Sequence, residues 1–422
     1  MIEEFICEGI WSVTDGQREK LCGTLKFAPD SGAILTLLGP TSEIDNIKKT
    51  LYSKGGGDGI PNQEIILGNS LNKRVITLFN CILAGNSSNY PEPGPSTLSF
   101  MVNVVFDGTQ FTKKEDIKFC TLSVRFTNLD EWGNIFGSDL HEPIRVIKQD
   151  DYEISIEFTR PLYSYMQDPA YIRQNAHVTI KSTAGKTLEE YKKIIKKIEN
   201  LLTLFIILPV YPLQITGTTK NNQLPIEIFY RIPNYNKASA SSFLMLFSYK
   251  EISDRFENLL KNWFEKEALL EPVYILYFDT LYNPSMNILH RFLSYVQAIE
   301  TYHRRFKKKE SSLKKRLLDI LEEYSQITDL FIEPNRREEI ARKIVGSRNY
   351  YIHGNPKQKT RAADWEELAC LQYKLKMLLE ICLLNELGFS ITEIRRSMVK
   401  NESYKQQIPY LRRDCPGSIK FI

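Results

Sequence analysis

Asn335-Arg336-Arg337-Glu338-Glu339-Ile340-Ala341-Arg342-Lys343-Ile344-Val345-Gly346-Ser347-Arg348-Asn349-Tyr350-Tyr351-Ile352-His353-Gly354-Asn355-Pro356 decides how the C-terminal third of the chain is read. A helix is predicted from Arg336 to about His353. Asn335 stands at its N-cap with Glu338 three residues on, the spacing of a capping box. Gly354-Asn355-Pro356 stops it, because glycine adopts the left-handed conformation that ends helices and proline cannot continue one. At the C-terminal end of this helix Arg348 and His353 lie five residues apart. The sequence holds five histidines, and only His353 follows an arginine at this spacing.

An arginine and a histidine suit one chemistry in particular. RNA is cleaved without a metal when its own 2′-OH attacks the adjacent phosphate. One group must accept the 2′-OH proton and another must protonate the leaving 5′-oxygen. Imidazole, with a pKa near 6.5, does either at neutral pH. A guanidinium forks onto the phosphate oxygens where charge accumulates. Arg348 and His353 are therefore the candidate catalytic residues, and Asn349 is placed to hold the histidine, the 2′-OH or a phosphate oxygen. Five residues of helix give about 7.5 Å of rise and about 140° of rotation, so the pair shares no tight stripe. One chain also offers one suitable histidine where two proton transfers are needed. A two-fold dimer apposing two such helices would supply both. The competing reading is an Arg348 paired to an acid such as Glu300 and a His353 that caps the helix dipole. Tyr350 and Tyr351 fit core or interface positions, or stacking on a base.

Working outward, the pattern from about Ser285 is wholly helical. Helices are expected over Asn287 to Phe306, Ser311 to Tyr324, Arg336 to His353, Asp364 to Leu387 (stopped by Gly388) and Thr392 to Lys400, which together make a bundle. Before them, Thr187 opens an amphipathic helix that Pro209 and Pro212 end, a short strand is expected over Glu227 to Arg231, and Ser253 to Phe264 reads as a second amphipathic helix. The first 185 residues are β-rich. Short alternating runs at Ile6 to Val13, Lys20 to Ala28, Ile34 to Leu38, Glu64 to Leu67, Val75 to Leu83, Ser96 to Phe106, Phe119 to Phe126, Ile144 to Gln149 and Tyr152 to Thr159 are separated by turn residues. Strands at this spacing predict a sandwich or an open barrel.

The segment Arg348 to His353, followed by Gly354-Asn355, resembles the R-x4-6-H signature of HEPN nucleases. Arg291-Phe292-Leu293-Ser294-Tyr295-Val296-Gln297-Ala298-Ile299-Glu300 and Leu383-Leu384-Asn385-Glu386-Leu387-Gly388-Phe389 resemble the HEPN segment of ApeA-like anti-phage proteins. Gly9-Ile10-Trp11-Ser12 and Cys22-Gly23-Thr24-Leu25-Lys26-Phe27 are similar to that family's N-terminal domain. The resemblance implies an α+β multidomain chain, with a β-rich sensor or regulatory domain over 1–185, a mixed, helix-containing middle over 186–284 and an all-α HEPN-like helical nuclease domain over 285–422. It implies a metal-independent endoribonuclease of abortive infection, dimeric through the HEPN domain. Its substrate would be RNA, with tRNA as one candidate; the N-terminal region would sense a trigger, a phage protein being one candidate and a nucleic acid or its own HEPN domain the others it could bind. Under this reading Arg348, His353 and Asn349 are catalytic, Tyr350, Tyr351 and Asn355 contact substrate, and Glu300 supports Arg348. No metal or cofactor is expected. The alternative is a non-catalytic HEPN module that binds a nucleotide or a protein.

Composition is consistent with both. Of 422 residues, 42% are hydrophobic and 25% charged, enough for a packed core in two or three domains. From Ser285 onward 26 basic residues face 17 acidic ones, whereas the remainder is acidic by five. A basic domain suits a polyanion, although a solvated Lys/Arg face gives the same count. Seven scattered cysteines with no C-x-x-C pair argue against a disulfide framework and a zinc site, and favour reduced thiols in the cytoplasm. The longest apolar run, Leu201 to Val210, is too short to span a bilayer, and the acidic N-terminus is not a signal peptide. No Walker loop, H-E-x-x-H or G-x-S-x-G motif is present.

Overall fold

The computed structural model describes residues 3–13, 20–54, 62–87, 95–133, 145–149, 151–159, 175–236, 238–307, 310–354 and 356–413. Contacts group them into two compact units. The first comprises the described residues within Met1–Leu129, Leu140–Lys196 and Tyr211–Ala238, and the second those within Asp130–Asp139, Lys197–Val210 and Ser239–Ile422.

The first unit is one antiparallel sheet. Its strands are β1 (Phe5–Ser12), β2 (Lys20–Ala28), β3 (Gly32–Gly39), β4 (Asn62–Ser70), β5 (Val75–Ser87), β6 (Ser96–Asp107), β7 (Phe119–Phe126), β8 (Arg145–Gln149), β9 (Tyr152–Thr159), β10 (Asn175–Lys186), β11 (Pro212–Thr218) and β12 (Ile226–Tyr230). The order is β3-β2-β1-β4-β5-β6-β12-β11-β7-β10-β9-β8, and a further β3–β6 pairing closes the first six into a barrel. Of the two all-β arrangements expected, the chain thus adopts a barrel, and the added pairing closes it. Strand β6 makes this possible by dividing one edge. Its residues from Ser96 to Val102 pair with β3, and those from Val104 to Asp107 pair with β12. The sheet leaves the barrel where the partner changes.

Alternate residues of the barrel strands are buried, among them Trp11, Leu25, Phe27, Leu35, Leu37, Leu98 and Phe100. This is the period-two pattern of a strand with one face on a core. Trp11 fills space that small neighbours leave. Its indole N–H donates to the Gly23 carbonyl at 3.1 Å, and a Cβ on Gly68 would fall 2.3 Å from its ring. Helix α1 (Thr41–Lys54) buries Ile44, Ile47 and Leu51.

Helices α2 (Leu129–Gly133) and α3 (Leu188–Ile206) contribute residues to both units. Along the start of α3 the Tyr191 hydroxyl donates to the Phe119 carbonyl of β7. The apolar run from Leu201 is buried at the end of α3.

The second unit is helical. It holds α4 (Tyr249–Ile252), α5 (Phe256–Glu265), α6 (Glu267–Tyr282), α7 (Ile288–Lys307), α8 (Leu313–Glu323), α9 (Ser325–Thr328), α10 (Arg337–His353), α11 (Trp365–Leu387), α12 (Ile391–Lys400) and α13 (Glu402–Arg412). Helix α11 is its centre. A capping box of Asp364 and Glu367 starts it, Gly388 at φ 106° ends it, and it is buried on nearly every side. Its Glu380 is 1% exposed yet fully partnered: the Tyr277 hydroxyl and Lys376 ammonium each donate to one of its oxygens at 2.7 Å, and the Tyr404 hydroxyl donates to the other. Satisfying a buried carboxylate this way ties α6 and α13 to α11, since an unpaired one would carry a large desolvation cost.

Three expectations need correction. The capping box at Asn335 does not form. A 3-10 turn over Pro334–Arg336 leads into α10, which places Asn335 inside the turn, and Glu338 pairs with Lys314 at 2.6 Å instead. Helices α1, α6 and α13 and strands β10 and β11 were not anticipated; α6 and α13 carry Pro272 and Pro409 within them. Cys370 is disulfide-bonded, whereas Cys7, Cys22, Cys81, Cys120 and Cys382 are free thiols. Spacing along the chain does not show which cysteines meet in space. No helix among the described residues is long and apolar enough to cross a membrane.

Two outcomes are expected. Gly68→Ala forces a methyl into the Trp11 ring, so chemical denaturation should show a loss of about 2 kcal/mol or more, with a change in tryptophan emission. His303 on α7 is buried, and its ring Nε2 lies 3.2 Å from Asp319. Burial above all, with Arg316 and Lys307 nearby, lowers its pKa despite the opposing pull of Asp319. A base with a depressed folded pKa stabilises the fold above its unfolded pKa near 6.5 and loses that contribution as pH falls through the folded value. Melting temperature should therefore drop below about pH 6.5 more steeply in the native protein than in His303→Gln.

Candidate active site at the end of α10

Helix α10 buries Ile340, Ala341, Ile344, Gly346 and Ser347 and leaves its other faces open. What holds it is the chain's own return. After α10 a 3-10 segment, Pro356–Arg361, comes back beside the helix, so close to Gly346 that a Cβ there would fall 2.7 Å from the Arg361 carbonyl oxygen. The Ser347 hydroxyl donates to the Lys343 carbonyl at 2.7 Å and accepts the Ala363 N–H at 2.8 Å. The Tyr351 hydroxyl donates to the Ala363 carbonyl at 2.9 Å. Gly354 makes the reversal possible at φ 61°, its N–H capping the Tyr350 carbonyl at 2.8 Å.

Arg348 is partly exposed. Its Nη1 donates to Asn349 Oδ1 at 3.1 Å, and its Nη2 lies 3.8 Å from Glu300 Oε2 on α7. Glu300 serves three guanidinium groups, with Arg304 at 3.0 Å and Arg316 at 3.4 Å. Arg316 is itself buried, its Nε donating to the Ser311 carbonyl at 2.9 Å. One carboxylate among three cations leaves this spot net positive and keeps Arg348 oriented along α7.

His353 is the last residue of α10 and is exposed, as is Ile352 beside it. Counted at about 100° per residue, Arg342, Gly346, Asn349 and His353 fall within about 60° of one another, while Arg348 lies about 140° from His353. Asn349 is therefore the residue that shares the histidine's face and also touches the arginine. Tyr350 and Tyr351 are half-buried and meet edge to face at 5.0 Å. Burial raises the pKa of Tyr351, whose hydroxyl is committed to the return segment. Asn355 lies outside the described residues.

Motif and helical spacing do not reveal the tethers Gly346, Ser347 and Arg316, or a cleft of about 580 Å³ lined by Lys314, Arg342, Lys343, Asn349 and Arg361 with Glu339. A serine inside the buried stripe of α10 is the one signal that pointed to the Ser347 tether. Among the described residues no three His, Cys, Asp or Glu side chains cluster as a metal site.

Two family models match the chain. ApeA N-terminal domain 1 covers residues 6–263 and Apea-like HEPN covers residues 293–393, a span that includes α10 and both Arg348 and His353. No curated protein and no solved structure matches it. The first model alone covers more than half of the sequence. The chain therefore belongs to the ApeA-like HEPN family, as a HEPN-type defence effector that carries the ApeA N-terminal domain.

Proposed function

We propose that this protein is a metal-independent endoribonuclease acting in the cytoplasm in anti-phage defence. The observation that carries the reading is the arrangement at the end of α10: an exposed imidazole, His353, on the same helix face as Asn349, which in turn holds the guanidinium of Arg348 at 3.1 Å. The net positive charge around Glu300 suits a phosphodiester. The competing reading, Arg348 paired to Glu300 and His353 capping the helix end, predicts the same placements; what favours catalysis is that Arg348 is partly exposed and His353 exposed, within reach of a phosphate.

In the proposed reaction a neutral His353 accepts the proton of the 2′-OH as its oxygen bonds to phosphorus. The P–O5′ bond breaks, and a second, protonated imidazole gives its proton to the leaving oxygen. The products are a 2′,3′-cyclic phosphate and a 5′-hydroxyl. Arg348 stabilises the charge that builds on the non-bridging oxygens, and Glu300 and Asn349 position it. The second imidazole is His353 of a symmetry-related copy, which makes the site composite at a homodimer interface. Tyr350 offers a ring for base stacking. The N-terminal sheet acts as sensor and brake, releasing the site on contact with a phage protein. RNA, with tRNA as one candidate, is the substrate.

Purified protein is expected to cleave RNA equally with and without a chelator. Arg348→Ala and His353→Ala should each lower the rate by about 10²-fold or more while leaving the melting temperature near that of the native chain. Full activity in both variants sinks the assignment. In randomly mixed dimers holding equal amounts of native and His353→Ala chains, activity should fall to about a quarter, because both histidines are needed. A fall to only one half rejects the composite site.

A further inference from the structure

We infer that the cleft between α10 and the returning Pro356–Arg361 segment is the track along which a single RNA strand reaches the site. This rests on the ribonuclease reading above and adds to it a named binding surface. The cleft holds four cations, Lys314, Arg342, Lys343 and Arg361, against one carboxylate, Glu339. Not all are available. Lys314 pairs with Glu338 at 2.6 Å and Lys343 with Glu367 at 2.8 Å, and Glu339 is taken by Arg336 at 3.0 Å. Arg342 has no carboxylate closer than Glu338 at 4.0 Å, and its Nε donates to the Glu338 carbonyl at 3.4 Å, which leaves its two terminal nitrogens for a ligand. Arg361 is exposed and has no carboxylate partner among the described residues. Two guanidinium groups of the kind that bond phosphate in forked pairs, neither with a close carboxylate among the described residues, thus line a groove with an excess of positive charge.

Direction comes from the helix. Asn349 lines this cleft and also accepts from Arg348. Arg342 and His353 lie on the same face of α10, about 16 Å apart along its axis. A backbone held by Arg361 and Arg342 therefore runs past Asn349 to the histidine. The form of the RNA follows from the groove. A volume of about 580 Å³ is that of a small-ligand pocket. It admits a nucleotide or two of a flexible strand, whereas an A-form duplex presents a wide, shallow groove and a rigid backbone. A flexible strand is also what the chemistry requires, since the 2′-oxygen must swing into line with the P–O5′ bond.

Full-length protein carrying His353→Ala, which binds without cutting, allows the track to be tested. A fluorescent single-stranded uridine oligonucleotide is titrated by anisotropy over about 50 to 200 mM salt. Adding Arg342→Ala and Arg361→Ala should weaken binding by about tenfold or more at the lowest salt. It should also flatten the salt slope by about 1.4, the increment for two single-strand phosphate contacts. Adding Arg342→Lys and Arg361→Lys instead should keep the slope, and melting curves for all variants report their folding. Unchanged affinity and slope in the alanine variant, with RNA still bound, overturn the track and leave the ribonuclease assignment standing. Equal loss of a base-paired duplex overturns the single-strand claim. Loss of poly-glutamate binding with RNA binding intact makes the cleft a protein-docking site and overturns the inference. Absence of RNA binding by His353→Ala at any salt overturns both readings.

Discussion

A helix with 3.6 residues per turn cannot put positions five apart on one face, and the candidate site at the end of α10 is organised around that fact. Arg348 turns toward α7, where Glu300 receives it, and His353 turns toward solvent. Something must join the two directions. Asn349, next to the arginine and one turn before the histidine, does so with a single hydrogen bond at 3.1 Å. One copy of α10 presents one imidazole, and the proposed reaction, with its two proton transfers, takes the other from a second copy. The buried stripe of α10, the Ser347 and Tyr351 tethers and the Gly354 reversal together fix the helix so that these directions hold.

The helical half was largely legible because its signals are local. A stripe of apolar residues at helical spacing marks α7 and α8, whereas α11 shows as a long run of helix formers that Gly388 stops. Helix α6 escaped because exposed apolar residues such as Leu269 and Ile275 blur its buried stripe in the sequence and Pro272 interrupts it. The Asn335 cap failed because Pro334 starts a 3-10 turn earlier than a capping box would allow. In the sheet, turn residues marked most strands, but which strands pair is a long-range matter. Nothing in the sequence of β3 and β6 says that Leu35 meets Phe100, and that pairing is what turns an open sheet into a barrel. For the candidate site, the motif singles out Arg348 and His353, which the fold places in the last turns of α10. The Glu300 hub and the cleft depend on α7, α8 and the return segment meeting α10, which no local spacing encodes.

Electrostatics separate the parts of the helical unit. Glu380 in the core is surrounded by hydroxyls and one ammonium, and it fixes helices in place. Glu300 at the margin is surrounded by guanidinium groups and remains partly open. The first arrangement uses up its charge, while the second leaves a positive surplus facing outward. The same residue type thus does architectural work at one depth and tunes an anion-seeking surface at another.

The divided edge of β6 has a consequence for how the chain can be cut. Barrel and extension are one continuous ladder, and the strand ending at Asp107 gives half of an edge to each. A fragment that stopped there would strip the stretch from Val104 of its neighbour and leave backbone N–H and C=O groups bare beside apolar side chains. Bare edges of this kind recruit strands from other molecules. Truncations aimed at isolating the barrel therefore invite self-association unless β12 travels with it.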